Sequence, residues 1–118
     1  MTWLIDAMNV IGSRPDGWWR DRDGAMRRLV DDVRDWADDD VTVVLDAGPE
    51  DLTGTVGQVT VIRASRRGRD AADDEIAALA RPGDIVVTSD DGLAARVRRK
   101  GAEVEGAGAF RRRLDSDR

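Results

Sequence analysis

Trp3-Leu4-Ile5-Asp6-Ala7-Met8-Asn9 is the stretch whose reading decides the fold. Three apolar residues run unbroken and stop on a carboxylate, with an amide three residues further on. A short apolar run of this kind reads as a strand buried on both faces, as at the centre of a parallel sheet. An acid at the carboxyl end of such a strand stands where open α/β folds place their ligands. The pattern recurs: Val41-Thr42-Val43-Val44-Leu45 ends on Asp46, and Ile85-Val86-Val87-Thr88-Ser89 ends on Asp90 and Asp91. Between them, Asp73 and Asp74 open a stretch that reads as a helix. Three acid-ended strands and an acidic helix start together outline a candidate site.

Working outward, Gly12 to Arg20 carries Pro and Gly turn signals and is expected to be a loop. A helix follows from about Asp23 to Asp38, its stripe formed by Met26, Leu29, Val30, Val33, Trp36 and Ala37. Gly48 to Gly57 reads as loop. Gln58 to Arg63 alternates apolar and polar residues like a half-exposed edge strand, and the short connection before it leaves its direction open. A second helix is expected from about Ala71 to Ala80, stopped by Pro82-Gly83, and a third from about Asp90 to Lys100, ended by Gly101. Ser89 is the expected cap of that third helix. Ala102 to Glu105 reads as a last short strand, and a short basic tail is expected from about residue 106, with one helical turn around Phe110 to Leu114. Alternating strands and helices give an α/β class: three layers, a mainly parallel sheet of about five strands, and helices on both faces. No repeat or linker divides residues 1–118, so one domain is expected.

Composition narrows the chemistry. The 118 residues contain neither cysteine nor histidine. That removes disulfides, a thiol nucleophile, thiolate zinc sites and the commonest general base. A metal here would be held by oxygen, which favours magnesium, manganese or calcium. No run is long enough to span a bilayer and no signal peptide precedes the first strand, so a cytoplasmic protein without membrane contact is expected. The net charge of −5 opposes nucleic-acid binding when taken globally, but its distribution matters more. Bases cluster at Arg63 to Arg69, Arg96 to Lys100 and Arg111 to Arg113. An acidic pocket beside basic runs suits an enzyme acting on phosphodiesters, although each run taken singly reads as a solvated face.

The motifs Leu4 to Ile11, Val43 to Ala47, Ala71 to Ile76 and Val87 to Leu93 meet a known pattern in order. The chain resembles the NYN domain proteins of the YacP-like type, within the PIN-like nuclease superfamily, from residue 3 to about 105. The resemblance implies a metal-dependent endoribonuclease using Mg²⁺ or Mn²⁺. It carries catalytic roles to Asp6, Asn9, Asp73 and Asp90, and metal binding to Asp6, Asp73 and Asp90, with Asp46 and Asp74 as further ligands. Ala7 and Met8 depart from the family, where glycine and an aromatic residue are frequent, which bears on RNA choice rather than on chemistry. RNA is the expected partner. A second copy of the chain and an RNA-processing partner such as the ribosome are left open.

The proposed chemistry also stands on general grounds. Phosphodiester hydrolysis needs charge stabilised on the phosphoryl oxygens, a water activated and a leaving alkoxide neutralised, and hard divalent ions can do all three. Without histidine, water is the nucleophile and an Asp its proton acceptor. Arg66, Arg67, Arg69 and Arg14 are candidates for holding RNA phosphates, and Trp18 for stacking on a base. Each residue has a plainer role to set against this: acceptor of backbone hydrogen bonds for Asp6, turn or cap residue for Asn9, turn former for Asp46, favoured helix-start charge for Asp73 and Asp74, helix cap for Asp90. A phosphoacceptor receiver module is the main rival, with Asp6, Asp46, Thr88 and Lys100 in its roles. A catalytically silent RNA-binding domain is the other.

Overall fold

The computed structural model describes residues 2–65, 68 and 70–116. Six strands form one sheet: β1 (Thr2–Asp6), β2 (Asp40–Leu45), β3 (Gly54–Val56), β4 (Val59–Arg63), β5 (Ile85–Val87) and β6 (Glu103–Glu105). Their spatial order is β3-β4-β2-β1-β5-β6, with every neighbouring pair parallel except β3 and β4. β1 therefore lies in the middle, Ile5 facing Val43 on one side and Val87 on the other. The unbroken apolar run foretold this position, because both faces of β1 are covered.

Helices close the two faces. On one side, α1 (Ala7–Gly12), α2 (Arg22–Trp36) and α5 (Ala107–Ser116) pack Val10, Met26, Leu29, Val30, Val33, Phe110 and Leu114 against Ile5, Val41, Val43, Val61 and Val87. On the other, α3 (Ala71–Leu79) and α4 (Asp91–Arg98) pack Ala72, Ile76, Leu93 and Val97 against Leu4, Val44 and Val86. Odd and even residues of each strand thus serve opposite layers, as the pleat requires.

The structure departs from expectation at four points. The segment between Asp6 and the expected loop, to which the sequence reading assigns no element, is a helix that takes in Gly12: Ala7, Val10 and Ile11 are buried at the i, i+3, i+4 spacing of one helical face, ahead of the turn signals. The sheet has six strands rather than five, because β3 emerges from the supposed loop. β3 runs back along the edge, antiparallel to β4, which lets β4 rise parallel to β2 without a helical crossover. β3, not β4, is the edge.

The fourth correction is the tail. Residues from Ala107 form a ten-residue helix whose Ala107, Phe110 and Leu114 enter the core. Phe110 is fully buried and joins Trp3 and Trp36, with ring centroids 5.7 and 5.0 Å away. Arg113, from the supposedly basic tail, stacks over Trp3 and pairs with Glu105. Phe110→Ala should lower unfolding free energy by about 3–5 kcal/mol in denaturant titrations. A loss below about 1 kcal/mol would return α5 to the status of a tail.

Candidate functional site

The chain leaves β1 toward β2 on one side of the sheet, while β5 lies on the other side of β1 and leads outward to β6. The carboxyl ends of β1 and β5 therefore form a switch point, where helices depart to opposite faces and a crevice opens. Asp6 ends β1 there, and Thr88, Ser89 and Asp90 follow β5.

A closed set of hydrogen bonds joins these two strand ends. Asp6 is buried, and its Oδ2 accepts from Asn9 Nδ2 at 2.7 Å and from Thr88 Oγ1 at 3.2 Å. Asp6 precedes α1 directly, so Asn9 stands one turn on and its amide folds back onto the carboxylate. The other end of the amide, Asn9 Oδ1, accepts the Ser89 backbone N–H at 3.0 Å. Thr88 Oγ1 in turn accepts from the Asp90 backbone N–H at 3.1 Å. One amide and one hydroxyl thereby hold β1 and the β5–α4 turn at fixed distance.

Asp90, not Ser89, caps α4: its Oδ1 accepts from the Leu93 backbone N–H at 2.8 Å. Ser89 instead receives the Ala107 backbone N–H on its Oγ at 3.0 Å, which anchors the start of α5. Thr88, expected only in the rival receiver reading, and Ser89, expected as a helix cap, take other parts here. A signal existed, since polar residues directly after a buried strand must find partners.

Asp73 reaches the crevice from the first turn of α3. The Asp6 carboxyl is pushed up to about 6, first by burial, then by the charge of Asp73 and, least, by that of Asp90. Hydrogen bonds from Thr88 and Asn9 oppose the rise. Asp73 is likewise raised, first by burial and then by Asp90 and Asp70, with Arg96 opposing. Three carboxylates thus repel one another across one crevice.

The remaining candidates stand apart. Asp74, on α3, pairs with Arg96 of α4, 2.9 Å away. Asp46 follows β2, where Oδ2 lies 3.7 Å from Arg22 and Oδ1 is buried without a hydrogen-bond partner. Gly48, two residues later, has φ +118, and a Cβ there would meet Met26 Sδ at 2.5 Å, so this turn accepts glycine alone. Arg14 is bound to Asp115 and Asp32 at 3.3 and 3.6 Å. Trp18 packs partly buried against the core, and neighbouring Trp19 is exposed. Arg66, Arg67 and Arg69 lie outside the described residues.

The donor set is all oxygen, which suits Mg²⁺ or Mn²⁺. Among the described residues no three carboxylates stand close enough to grip one ion together. Magnesium characteristically uses one or two carboxylates and keeps several waters, so Asp6, Asp73 and Asp90 fit a hydrated ion better than a stripped one.

Residues 37–108, more than half of the chain, match the model of an uncharacterised family, YaiI/YqxD (DUF188). The chain belongs to the YaiI/YqxD family. The matched region holds Asp46, Asp73, Asp74 and Asp90 and leaves out Asp6 and Asn9. UPF0178 protein bll3966 of Bradyrhizobium diazoefficiens is 61% identical over 41 residues, covering 35% of this chain and 25% of that protein. A UPF0178 protein of Rhodopseudomonas palustris is 63% identical over 41 residues, covering 35% and 26%. The aligned stretch thus spans about a quarter of the length of these curated relatives. Among solved structures, the crystal structure of Rae1 (YacP) from Bacillus subtilis superposes with a TM-score of 0.73 at 22% identity, over 98% of this chain and 74% of that one. Its W164L mutant gives 0.75, over 98% and 75%. The chain therefore has the YacP-like, PIN-like fold. No helix among the described residues is long and apolar enough to cross a membrane.

The raised Asp6 carboxyl sets a pH signature. An unfolded Asp titrates near 3.8 and this one near 6 when folded, so holding the charge costs the native state about 3 kcal/mol above pH 6. The cost fades as pH falls through 6 and is gone below the unfolded value. Asp6→Asn keeps the shape without the charge, so it should be more stable than wild type at about pH 7.5. Equilibrium unfolding should show that advantage shrinking by about 1 kcal/mol or more toward pH 5. A difference independent of pH would mean that Asp6 is not strained.

Proposed function

We propose that this chain is a metal-dependent endoribonuclease of the PIN-like, NYN type, hydrolysing RNA phosphodiester bonds at the crevice between β1 and β5. The observation that carries this is the buried carboxylate of Asp6, tied to Asn9 and Thr88 and facing Asp73 and Asp90, with no cationic side chain among the described residues hydrogen-bonded to it. Acids that only cap helices need not share a crevice at the cost of mutual repulsion. A divalent cation would cancel that repulsion and supply charge stabilisation for the phosphoryl oxygens.

The chain's own residues then divide the work. Asp6 and Asp90 would hold the cation, with Asp73 completing the charge from α3. Asn9 orients Asp6, and Thr88 couples Asp6 to the backbone that presents Asp90. Asp73, with its raised affinity for a proton, is the best-placed acceptor for the proton of the attacking water. Arg96, paired with Asp74, limits how far the acidity of Asp73 is suppressed.

The receiver-module alternative loses its lysine. Lys100 Nζ donates to the carbonyls of Ala77 and Ala78 at the end of α3, at the opposite edge of the sheet from the acids. A catalytically silent RNA-binding domain is the second reading, favoured by the lack of a three-carboxylate grip among the described residues.

Incubation of wild type with labelled RNA and Mn²⁺ separates the two. Cleavage is expected, with Asp6→Asn and Asp90→Asn each reducing it by at least about 100-fold. Asn9→Ala should cost about 10- to 100-fold, as for a residue that orients a ligand. RNA binding without cleavage by wild type would leave the silent domain standing.

A further inference from the structure

The longest run without a charge in this chain extends from Leu52 to Ile62, in a sequence of which 36% of residues are charged. It contains β3, Gly54-Thr55-Val56, the outermost strand on one side of the sheet. All three residues are exposed, and Val56 is 56% exposed in spite of its apolar side chain. The outermost strand on the other side is built differently. There β6 reads Glu103-Val104-Glu105, with Glu103 exposed and Glu105 paired with Arg113. Charges, prolines and bulges on an outer strand guard it against pairing with another chain. β6 has charges, whereas β3 has none of the three and keeps an unbroken register with β4. Its three residues limit the strength of a further pairing, not its geometry.

The backbone decides which groups β3 offers. Gly57-Gln58 joins β3 to β4 as a two-residue turn, with Gly57 at φ +59. Val56 and Val59, which flank that turn, form a hydrogen-bonded pair. Alternation then turns the N–H and C=O of Thr55 away from β4, where no strand among the described residues meets them. A second β3, related by a two-fold axis at Thr55, fits this edge. The two Thr55 backbones exchange N–H···O=C bonds, and Val56 of each copy falls opposite Gly54 of the other. A Cβ built on Gly54 meets nothing within 4 Å, so the facing Val56 finds open space. The net charge of −5 sets two copies against each other, and an uncharged strand lets them approach with least repulsion. The acids nearest in sequence, Glu50 and Asp51, are already paired with Arg63 and Arg27.

We propose that β3 is a homodimer edge, on which a second copy of this chain pairs antiparallel, Thr55 to Thr55, so that the two sheets become one. The assembly closes at two copies, because each spends its bare outer strand and leaves the acidic β6 outside. β3 is three strand spacings, about 14 Å, from β1, so the crevice at Asp6 stays uncovered. The antiparallel contact points the carboxyl edges of the two copies in opposite directions.

An interface this small is weak, so association is measured by sedimentation equilibrium from about 1 μM to about 1 mM. Wild type should shift from one chain toward two and no further. Val56→Lys places a charge on the exposed edge and should weaken association at least about 10-fold, with an unchanged circular dichroism spectrum. Because the chain contains no cysteine, a single introduced thiol reports on the two-fold contact. Residues in a hydrogen-bonded antiparallel pair have Cα atoms about 5.5 Å apart, within disulfide reach. Under mild oxidation Thr55→Cys should form the linked dimer at least about 10-fold faster than Glu103→Cys on β6, and adding Val56→Lys should remove the difference. Chains that stay single at the highest concentration, association unchanged by Val56→Lys, growth beyond two chains, or equal cross-linking at the two edges would overturn the pairing.

Discussion

Everything at the carboxyl edge of this sheet depends on burying the Asp6 carboxylate. A charged group taken out of water must be repaid by hydrogen bonds, and two side chains provide them here. Neither is idle elsewhere: Asn9 also holds the Ser89 backbone and Thr88 the Asp90 backbone. Satisfying one carboxylate therefore fixes the turn after β5, positions the cap of α4, and through Ser89 sets the start of α5. The repayment is incomplete, since the carboxyl remains raised toward 6. On the proposed reading, that residual cost is what a bound cation would relieve.

The opposite edge of the sheet is settled differently. Asp84 is also buried, yet its two oxygens accept backbone N–H groups from Thr2 and Arg81 at 3.3 and 3.0 Å, and its own carbonyl receives Glu103. Lys100 caps the end of α3 nearby. These groups clamp the amino ends of β1, β5 and β6. One edge spends its polar groups on the backbone and the other keeps them facing a crevice, which is the usual division between stabilising and functional ends in parallel α/β folds.

The centre of the fold was legible because β1, β2 and β5 are apolar runs that end on acids, and only a doubly covered strand needs such a run. The helices α2, α3 and α4 carried plain stripes and stops. What escaped notice had conflicting local signals. α1 is six residues long and runs straight into a Gly-Ser-Arg-Pro turn. α5 hides Phe110 and Leu114 behind three consecutive arginines and begins between Gly106 and Gly108. β3 has three exposed residues and exists only because β4 offers it hydrogen bonds. At the site, Asp6, Asn9, Asp73 and Asp90 could be named from spacing and resemblance. The partners Thr88 and Ser89 depend on a register between distant strands, which no local pattern encodes.

Binding of Mn²⁺ to the RNA-free protein tests most directly whether the strained carboxylates form a cation site. The account predicts that Mn²⁺ raises the melting temperature of wild type at about pH 7.5, because a ligand held only by the native state stabilises it by mass action. The shift should be much smaller in Asp90→Asn and should fade toward pH 5 as a proton takes the place of the metal on Asp6. Equal shifts in wild type and Asp90→Asn at both pH values, or no shift in wild type, would contradict it.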